Sequence, residues 1–308
     1  MRDLLIDVEK TKVSVIIPTY NRGNLIHKTI KSVLRQTHKN LELIIVDDGS
    51  TDNTPLLINN LKKRDSRIKY YYIENSGGPS RPKNYGIKKS VGSIIAFLDH
   101  DDIWKPNKLE MQIPLLSNSK IGLVSCDAIG IDHFRKKKKI MRTKLFNEML
   151  PKLLFENTIQ SSSSVIISRK IINIIGLFDE KLKITDDKDF WIRIARKGFQ
   201  FVKVNEVLFK YDIHENNLSK KNIVNNLKEL EYILEKYQNV YRIYHLYEKK
   251  KVQIAFFYFS SGYIQKSIMM IKNVMIKDFR SILYIILIRS GKFGYMLLKT
   301  LRSIINIT

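Results

Sequence analysis

Cysteine is almost missing from this 308-residue chain. The single thiol, Cys126, can form neither an internal disulfide nor a cysteine-built zinc cluster, which fits a reducing compartment. Long apolar runs are missing too. The longest one toward the end covers residues 282–288, whereas a membrane-crossing helix needs about 20 residues, so no transmembrane helix is expected. The opening MRDLLIDVEK carries three acids and no apolar stretch, so no signal peptide is expected either. No internal repeat or low-complexity segment is present. Acids are scarce: 30 Asp/Glu stand against 54 Lys/Arg, a formal net charge of +24.

What is present is enough to fold. Hydrophobic residues at 44% and aromatics at 10% support a packed core and exclude a disordered chain. The length allows two domains at roughly 100–200 residues each. The basic excess points toward polyanions: nucleic acid, an anionic membrane face or phosphorylated substrates. Its distribution narrows the choice. Residues 219–308 hold 16 Lys/Arg against 5 Asp/Glu, while the acids before them gather in clusters: Asp47-Asp48, Asp99-His100-Asp101-Asp102 and Asp186-Asp187-Lys188-Asp189. Clustered carboxylates suit a metal site and not a nucleic-acid coat.

Strand and helix signals alternate over the first hundred residues. The β-branched run 13–17, ended by Pro18, reads as a buried strand. Leu25, Ile26, Ile30, Val33 and Leu34 then fall on one helical face, with Asn21 or Asn24 as N-cap. Strand 41–46 stops at Asp47-Asp48-Gly49-Ser50, and Thr54-Pro55 opens a helix as N-cap and first residue, with Leu57, Ile58 and Leu61 inward. Residues 68–73 and 94–98 read as strands around a helix at 81–89. This alternation predicts an α/β fold on a mostly parallel sheet. Further on, 106–117 reads as helix, 122–126 as strand, the basic 135–144 as a loop and 165–167 as strand. Residues 187–197 read as a helix with Phe190, Trp191 and Ile194 inward, followed by strands at 199–204 and 207–211. From about 222 only amphipathic helix patterns remain, such as Val252, Ala255, Phe256 and Phe259, which sets a boundary near 217–221.

Ligands of an open α/β sheet bind at the carboxyl ends of its strands, and Asp47, Asp48, Asp99, Asp101 and Asp102 follow two apolar strands directly. A carboxylate there loses solvation unless it finds a cation or hydrogen-bond donors. Hard oxygen ligands suit Mg²⁺ or Mn²⁺, ions that also bridge phosphates. The spacing Asp99-x-Asp101 lets one carboxylate reach the metal while the other points elsewhere, for instance to a ribose. Alone, Asp-Asp-Gly-Ser is an ordinary turn; two such turns and an acidic helix start form a pattern.

That pattern is shared. Val13-Ser14-Val15-Ile16-Ile17-Pro18-Thr19-Tyr20-Asn21-Arg22 resembles the opening of family-2 glycosyltransferases, inverting enzymes with the GT-A fold. Val46-Asp47-Asp48-Gly49-Ser50-Thr51-Asp52 resembles their second motif, and Phe97-Leu98-Asp99-His100-Asp101-Asp102 their metal-binding DxD. Gly176-Leu177-Phe178-Asp179-Glu180, with Asp186-Asp187-Lys188-Asp189-Phe190-Trp191-Ile192-Arg193, resembles the acceptor-side block. The match runs in family order from about residue 12 to 217.

The resemblance implies roles residue by residue. Thr19 and Asp48 face the uridine of a UDP-sugar donor, and Asp47 shapes the turn. Asp99 contacts ribose or a metal-bound water, Asp101 ligates Mn²⁺ or Mg²⁺, and His214 lies close to the diphosphate or metal. Asp187 is the base that deprotonates the acceptor hydroxyl. Where relatives often read Ala-Arg-Asn, this chain has Pro82-Lys83-Asn84, so Lys83 carries the donor-side charge without the planar fork of arginine. The family's Glu-Asp pair appears as Asp186-Asp187. The implied organisation is a glycosyltransferase domain at 1–217, with a nucleotide-sugar half at about 12–115 and an acceptor half at 116–217, and a basic helical region at 218–308.

Three other readings compete. A non-enzymatic polyanion- or membrane-binding protein would account for +24, but its strand-end acids would repel phosphates without a metal. A nucleotide-dependent oxidoreductase needs glycines in the first turn that Pro18-Thr19-Tyr20-Asn21-Arg22 lacks. A sugar nucleotidyltransferase needs a Gly-rich basic loop at the same place. The Lys/Ile/Asn-rich composition suggests a bacterial enzyme of cell-surface polysaccharide synthesis, with a glycan or lipid-linked acceptor and no nucleic-acid partner; sugar, linkage and oligomeric state stay open. From Lys249 onward eleven Lys/Arg and one acid, Asp278, interleave with aliphatic and aromatic residues. Helices basic on one side and apolar on the other suit an anionic bilayer surface, so a cytoplasmic protein peripheral on the inner face of the membrane is expected.

Overall fold

Apolar β-branched residues fill both faces of the first strands, as a sheet covered on both sides requires. In a computed structural model that describes residues 7–23, 25–159, 161–214, 222–274 and 279–305, β1 (Val13–Thr19) and β2 (Leu41–Asp47) are buried along their whole length. With β3 (Ile68–Tyr72) and β4 (Ile94–Phe97) they form a parallel set in the order β3-β2-β1-β4. Helices α1 (Ile26–Leu34), α2 (Thr54–Lys62) and α3 (Ser80–Lys89) connect them. Ile26, Ile30, Val33 and Ile58 are buried in the core under the sheet, and Leu57 and Leu61 are packed against it.

The second half of the sheet mixes directions. After β5 (Ile103–Trp104) come α4 (Lys108–Gln112), a 3-10 turn at Ile113–Ser117, β6 (Ile121–Asp132) and β7 (Lys137–Met141). Next are α5 (Met149–Phe155), β8 (Ile166–Ser168), α6 (Arg169–Ile175), α7 (Asp186–Arg196) and β9 (Gln200–Ile213). β8 runs antiparallel to β4 and to β6, so β6 points the same way as the first four strands, and β9 lies parallel to β6. The full order is β3-β2-β1-β4-β8-β6-β9-β5, with β7 pairing β6. The carboxyl ends of β1, β2, β4, β6 and β9 therefore open on one end of the sheet.

Several local expectations differ. Pro18 does not end β1, which continues to Thr19. Beyond Ile16 the strand pairs only with β2, so the missing N–H leaves no gap in the ladder to β4. Thr54 is the first residue of α2 and Asn53 precedes it as cap residue. Asn21 does not cap α1: Leu25 stands at its cap position, and Asn24 lies outside the described residues. The basic segment expected as a loop contains strand β7. The two strands expected after α7 are one, β9, with a register shift where Val204 opposes Cys126 and Val207 opposes Asp127.

The chain divides into two compact units, Met1–Asn217 and Leu218–Thr308. The boundary expected at 217–221, and Asp278, lie outside the described residues. The second unit is helical: α8 (Ile223–Lys236), α9 (Gln238–Ile243), α10 (Tyr247–Ser260), α11 (Ile264–Met270), α12 (Phe279–Arg289) and α13 (Gly291–Ile305). Its core joins Val252, Ala255, Phe259, Ile271, Val274 and Ile288. Among the described residues no single helix is long and apolar enough to cross a membrane. One pair, Ser281–Arg289 with Gly291–Lys299, passes that test together but is bent by 116°.

Candidate active site

The loops after β1 and β2 are stitched into one wall. Asn21 adopts the left-handed region with φ 49°, and its Oδ1 accepts the Thr51 N–H at 2.8 Å. Its own N–H donates to Ser50 Oγ at 2.8 Å, and the Arg22 N–H to Thr54 Oγ1 at 2.8 Å. Gly49, with φ +82°, turns the second loop where an added Cβ would stand 2.9 Å from the Asn75 nitrogen, so only glycine fits. Thr19 ends β1 fully buried, and its hydroxyl oxygen has no hydrogen-bond partner among the described residues. Leaving such a group unpaired costs about 1–3 kcal/mol, which a polar ligand would recover.

The two acids after β2 divide their work. Asp47 accepts the Ser50 N–H on one oxygen and the Tyr70 hydroxyl on the other, both at 2.8 Å, so its carboxylate is consumed in shaping the turn. Asp48 Oδ1 accepts the N–H and hydroxyl of Ser76 at 2.9 and 2.8 Å. Ser76 in turn offers its carbonyl to the Lys183 ammonium at 2.6 Å. Asp48 thus links the loop after β3 to the segment before α7.

At the end of β4, three of the four serines in the run Ser161-Ser162-Ser163-Ser164 cradle Asp99. Ser161 and Ser162 donate hydroxyls to its two carboxylate oxygens at 3.2 and 3.4 Å, and the Asp99 N–H donates to Ser163 Oγ at 3.0 Å. Burial pushes the Asp99 carboxyl up, and the Lys83 charge only partly offsets it. His214, just past β9, places Nε2 2.9 Å from Asp101 Oδ2. Burial opposes the charge of Asp101, but the hydrogen bond from His214 and the nearby histidines hold the carboxyl below its usual range. His100, between the two acids, accepts the Arg22 Nε–H at 2.8 Å on Nε2 while Nδ1 lies 3.3 Å from the Pro18 carbonyl. These partners suit a neutral ring, and burial lowers its pKa in the same sense. Asp102 is buried, accepts the Asp212 N–H at 3.2 Å and is pushed well up by burial and by its neighbours Asp101 and Asp99.

Helix α7 brings three acids in its first turn, and they have different partners. Asp186 pairs with the Lys83 ammonium at 2.8 Å, and Asp189 with Arg193 at 2.9 Å. Asp187 has no basic side chain at ion-pair distance among the described residues; Oδ1 accepts the Lys188 N–H at 2.6 Å. Burial and the adjacent Asp186 charge, against the pull of Lys83, push its carboxyl up to about 7. It keeps partial exposure. Lys188 is buried, donates to the carbonyls of Leu153 and Glu156 at 2.6 and 3.2 Å, and is pushed down to about 8 by burial. Asn84 locks the same region to α3: its side chain exchanges hydrogen bonds with the Phe178 N–H and carbonyl at 2.8 and 3.0 Å.

Asp99, Lys83, Asp186 and Asp187 act on one another electrostatically, and Asp101 meets His214. Thr19 and Asp48 stand on the adjoining strand ends. Among the described residues no group of three or more His, Cys, Asp or Glu is arranged to enclose a metal ion. Asp101 and His214 instead supply one oxygen and one nitrogen. That partial set fits a hard divalent ion that takes its other ligands from phosphate and water. Sequence reasoning missed Arg22, His100 and the serine cradle; a run of four serines between apolar segments was the available signal.

A sheet with this topology, acids at its strand ends and a helix with three acids in its first turn beside them define a glycosyltransferase fold. Residues 14–175 match the family described as Glycosyl transferase family 2, and the chain belongs to that family. An uncharacterized glycosyltransferase of Rickettsia typhi is 36% identical over 71% of this chain and 69% of its own. A second rickettsial relative, from Rickettsia conorii, is matched over only 31% of its length. The Escherichia coli protein WfgD, a UDP-Glc:α-D-GlcNAc-diphosphoundecaprenol β-1,3-glucosyltransferase, is 32% identical over 71% of this chain and 82% of its own. Among solved structures, the Pyrobaculum calidifontis mannosyltransferase PcManGT, in complex with GDP-Man and Mn²⁺, superposes with a TM-score of 0.61 at 17% identity, covering 96% of this chain and 80% of its own. The chain is a glycosyltransferase with the GT-A fold.

Proposed function

We propose that this glycosyltransferase moves a sugar from a UDP-sugar to a hydroxyl of a lipid-linked glycan, with inversion, in bacterial cell-surface polysaccharide synthesis. The catalytic unit is residues 1–217, its nucleotide-sugar half at about 12–115 and its acceptor half at 116–217; residues 218–308 form an accessory helical region. The observation that carries this reading is Asp187: of the three acids opening α7, it alone has no basic side chain at ion-pair distance among the described residues, and its carboxyl is poised near neutrality. A general base works best with a pKa close to the working pH.

In this reading the acceptor hydroxyl approaches the anomeric carbon from the side opposite the diphosphate. Asp187 takes its proton as the new C–O bond forms and the bond to the diphosphate breaks, releasing UDP. Thr19 and Asp48 line the nucleoside side. Asp99, held by Ser161 and Ser162, faces the ribose or an ordered water. Lys83 adds positive charge below the diphosphate while its ammonium is shared with Asp186. Asp101 and His214 would hold Mn²⁺ or Mg²⁺, which when bound neutralises charge on the leaving diphosphate.

Support for the donor and acceptor classes comes from the activity of the relative WfgD. For the membrane, support comes from the helical unit. Ile286, Phe293 and Met296 are 56%, 73% and 65% exposed on α12 and α13, and exposed Lys292 and Lys299 accompany them. Such a surface suits the headgroup layer of an anionic bilayer and a cytoplasmic, peripheral enzyme. The direct test is a donor screen with Mn²⁺: slow hydrolysis of one UDP-sugar, measured as released UDP, supports the reading, and turnover of none among UDP-sugars contradicts it.

A further inference from the structure

The hairpin of β6 and β7 carries a charge pattern that catalysis does not use. Its turn and second strand read His133-Phe134-Arg135-Lys136-Lys137-Lys138-Lys139-Ile140. Arg135, Lys136, Lys137, Lys138 and Lys139 are all exposed, and none has an acid at ion-pair distance among the described residues. The nearby acids are otherwise engaged: Asp132 accepts the Arg135 N–H at 2.9 Å, and Asp212 meets the His133 ring at 2.8 Å. Phe134 at the tip is 79% exposed and Ile140 is 51% exposed. The segment is held in place by five paired positions from Ala128↔Met141 to Asp132↔Lys137.

Its place in the fold gives the pattern a direction. Asp132, at the base of the turn, lies opposite Ile213 of β9, the residue before His214. β6 points the same way as β1, β2 and β4, so the hairpin tip stands at the end of the sheet that carries the candidate active site. Lysines on an edge strand also prevent edge-to-edge pairing. Blunting an edge does not call for an aromatic ring almost wholly in water at the tip. Five cations around one exposed phenylalanine match an interface where the ring enters the headgroup layer and the cations meet anionic phosphates.

We propose that the β6–β7 hairpin docks the catalytic unit on an anionic bilayer, with Phe134 inserted and Arg135 to Lys139 on the lipid phosphates. The purpose of this contact rests on the proposed lipid-linked acceptor, because it would present the active-site end of the sheet to the membrane. The contact itself rests only on the hairpin and is separate from the helical unit.

The test uses the full chain carrying Phe134→Trp, because the native Trp104 and Trp191 are buried and give little background response. On adding phosphatidylglycerol vesicles its emission should shift to the blue, with no shift on neutral phosphatidylcholine vesicles and reversal in high salt. Lys137→Gln/Lys138→Gln/Lys139→Gln should weaken vesicle partition by about fivefold for each lysine that touches the surface, with UDP-sugar hydrolysis in vesicle-free solution unchanged. An unshifted emission while the protein still sediments with the vesicles overturns the hairpin contact and leaves the helical unit as the anchor. Failure to sediment at all overturns both. A triple variant that self-associates yet binds vesicles like the parent assigns the lysines to edge protection and also overturns it.

Discussion

Lys83 and Asp186 form a buried ion pair, Nζ to Oδ2 2.8 Å, with side chains only 3% and 4% exposed. The pair joins α3, in the nucleotide-side half, to the first residue of α7. It also sets the field around Asp187: the Asp186 charge raises that carboxyl and the Lys83 charge lowers it.

Breaking the pair should be costly in one direction only. Lys83→Met strands a buried carboxylate and should destabilise the fold by about 3–5 kcal/mol. Lys83→Met combined with Asp186→Leu should recover most of that loss. Urea unfolding of the two variants checks this; equal losses would mean that the pair does not hold the two segments together.

The pH profile follows from Asp187. As the proposed base it must be deprotonated, so kcat/KM should fall about tenfold per unit below pH 7 and level off above it. Asp186→Asn removes the adjacent negative charge and should move the midpoint to lower pH. A midpoint that stays in place would show that the adjacent charge does not reach Asp187.

The same shift has a stability signature. Asp187 titrates higher in the fold than its ordinary 3.8, so the folded state holds the proton more tightly than the unfolded chain. Stability should therefore decline as pH rises from about 4 to about 7. Asp187→Asn should raise Tm more at pH 8 than at pH 4, as read by thermal melts.

Asp101→Ala should abolish the dependence of UDP binding on Mn²⁺, because it removes the carboxylate that His214 meets at 2.9 Å. Calorimetry with and without the ion reads this directly. Unchanged metal dependence would take Asp101 out of the site.

Much of this was legible in the sequence because it is local. β-branched runs such as Val13-Ser14-Val15-Ile16-Ile17 have one way to be buried, and acids that close such runs stand at strand ends. Other features depend on partners far along the chain. Ser161 reaches Asp99 across 62 positions and Arg22 reaches His100 across 78, distances over which no sequence period operates. Asn21 looks like a helix cap because its short amide suits one, yet it spends its side-chain oxygen on the neighbouring loop. β7 reads as a loop because Lys137-Lys138-Lys139 shows no alternation; it becomes a strand only because β6 offers an open edge.

The most direct test of the account is Asp187→Asn, with UDP affinity and UDP-sugar turnover measured on the same preparation. Asp187 is proposed to touch the acceptor hydroxyl and not the nucleotide, so turnover should fall by about 100- to 10,000-fold while UDP affinity stays within about twofold. A variant that turns over within a few-fold of the parent would contradict the assignment of Asp187 as the base.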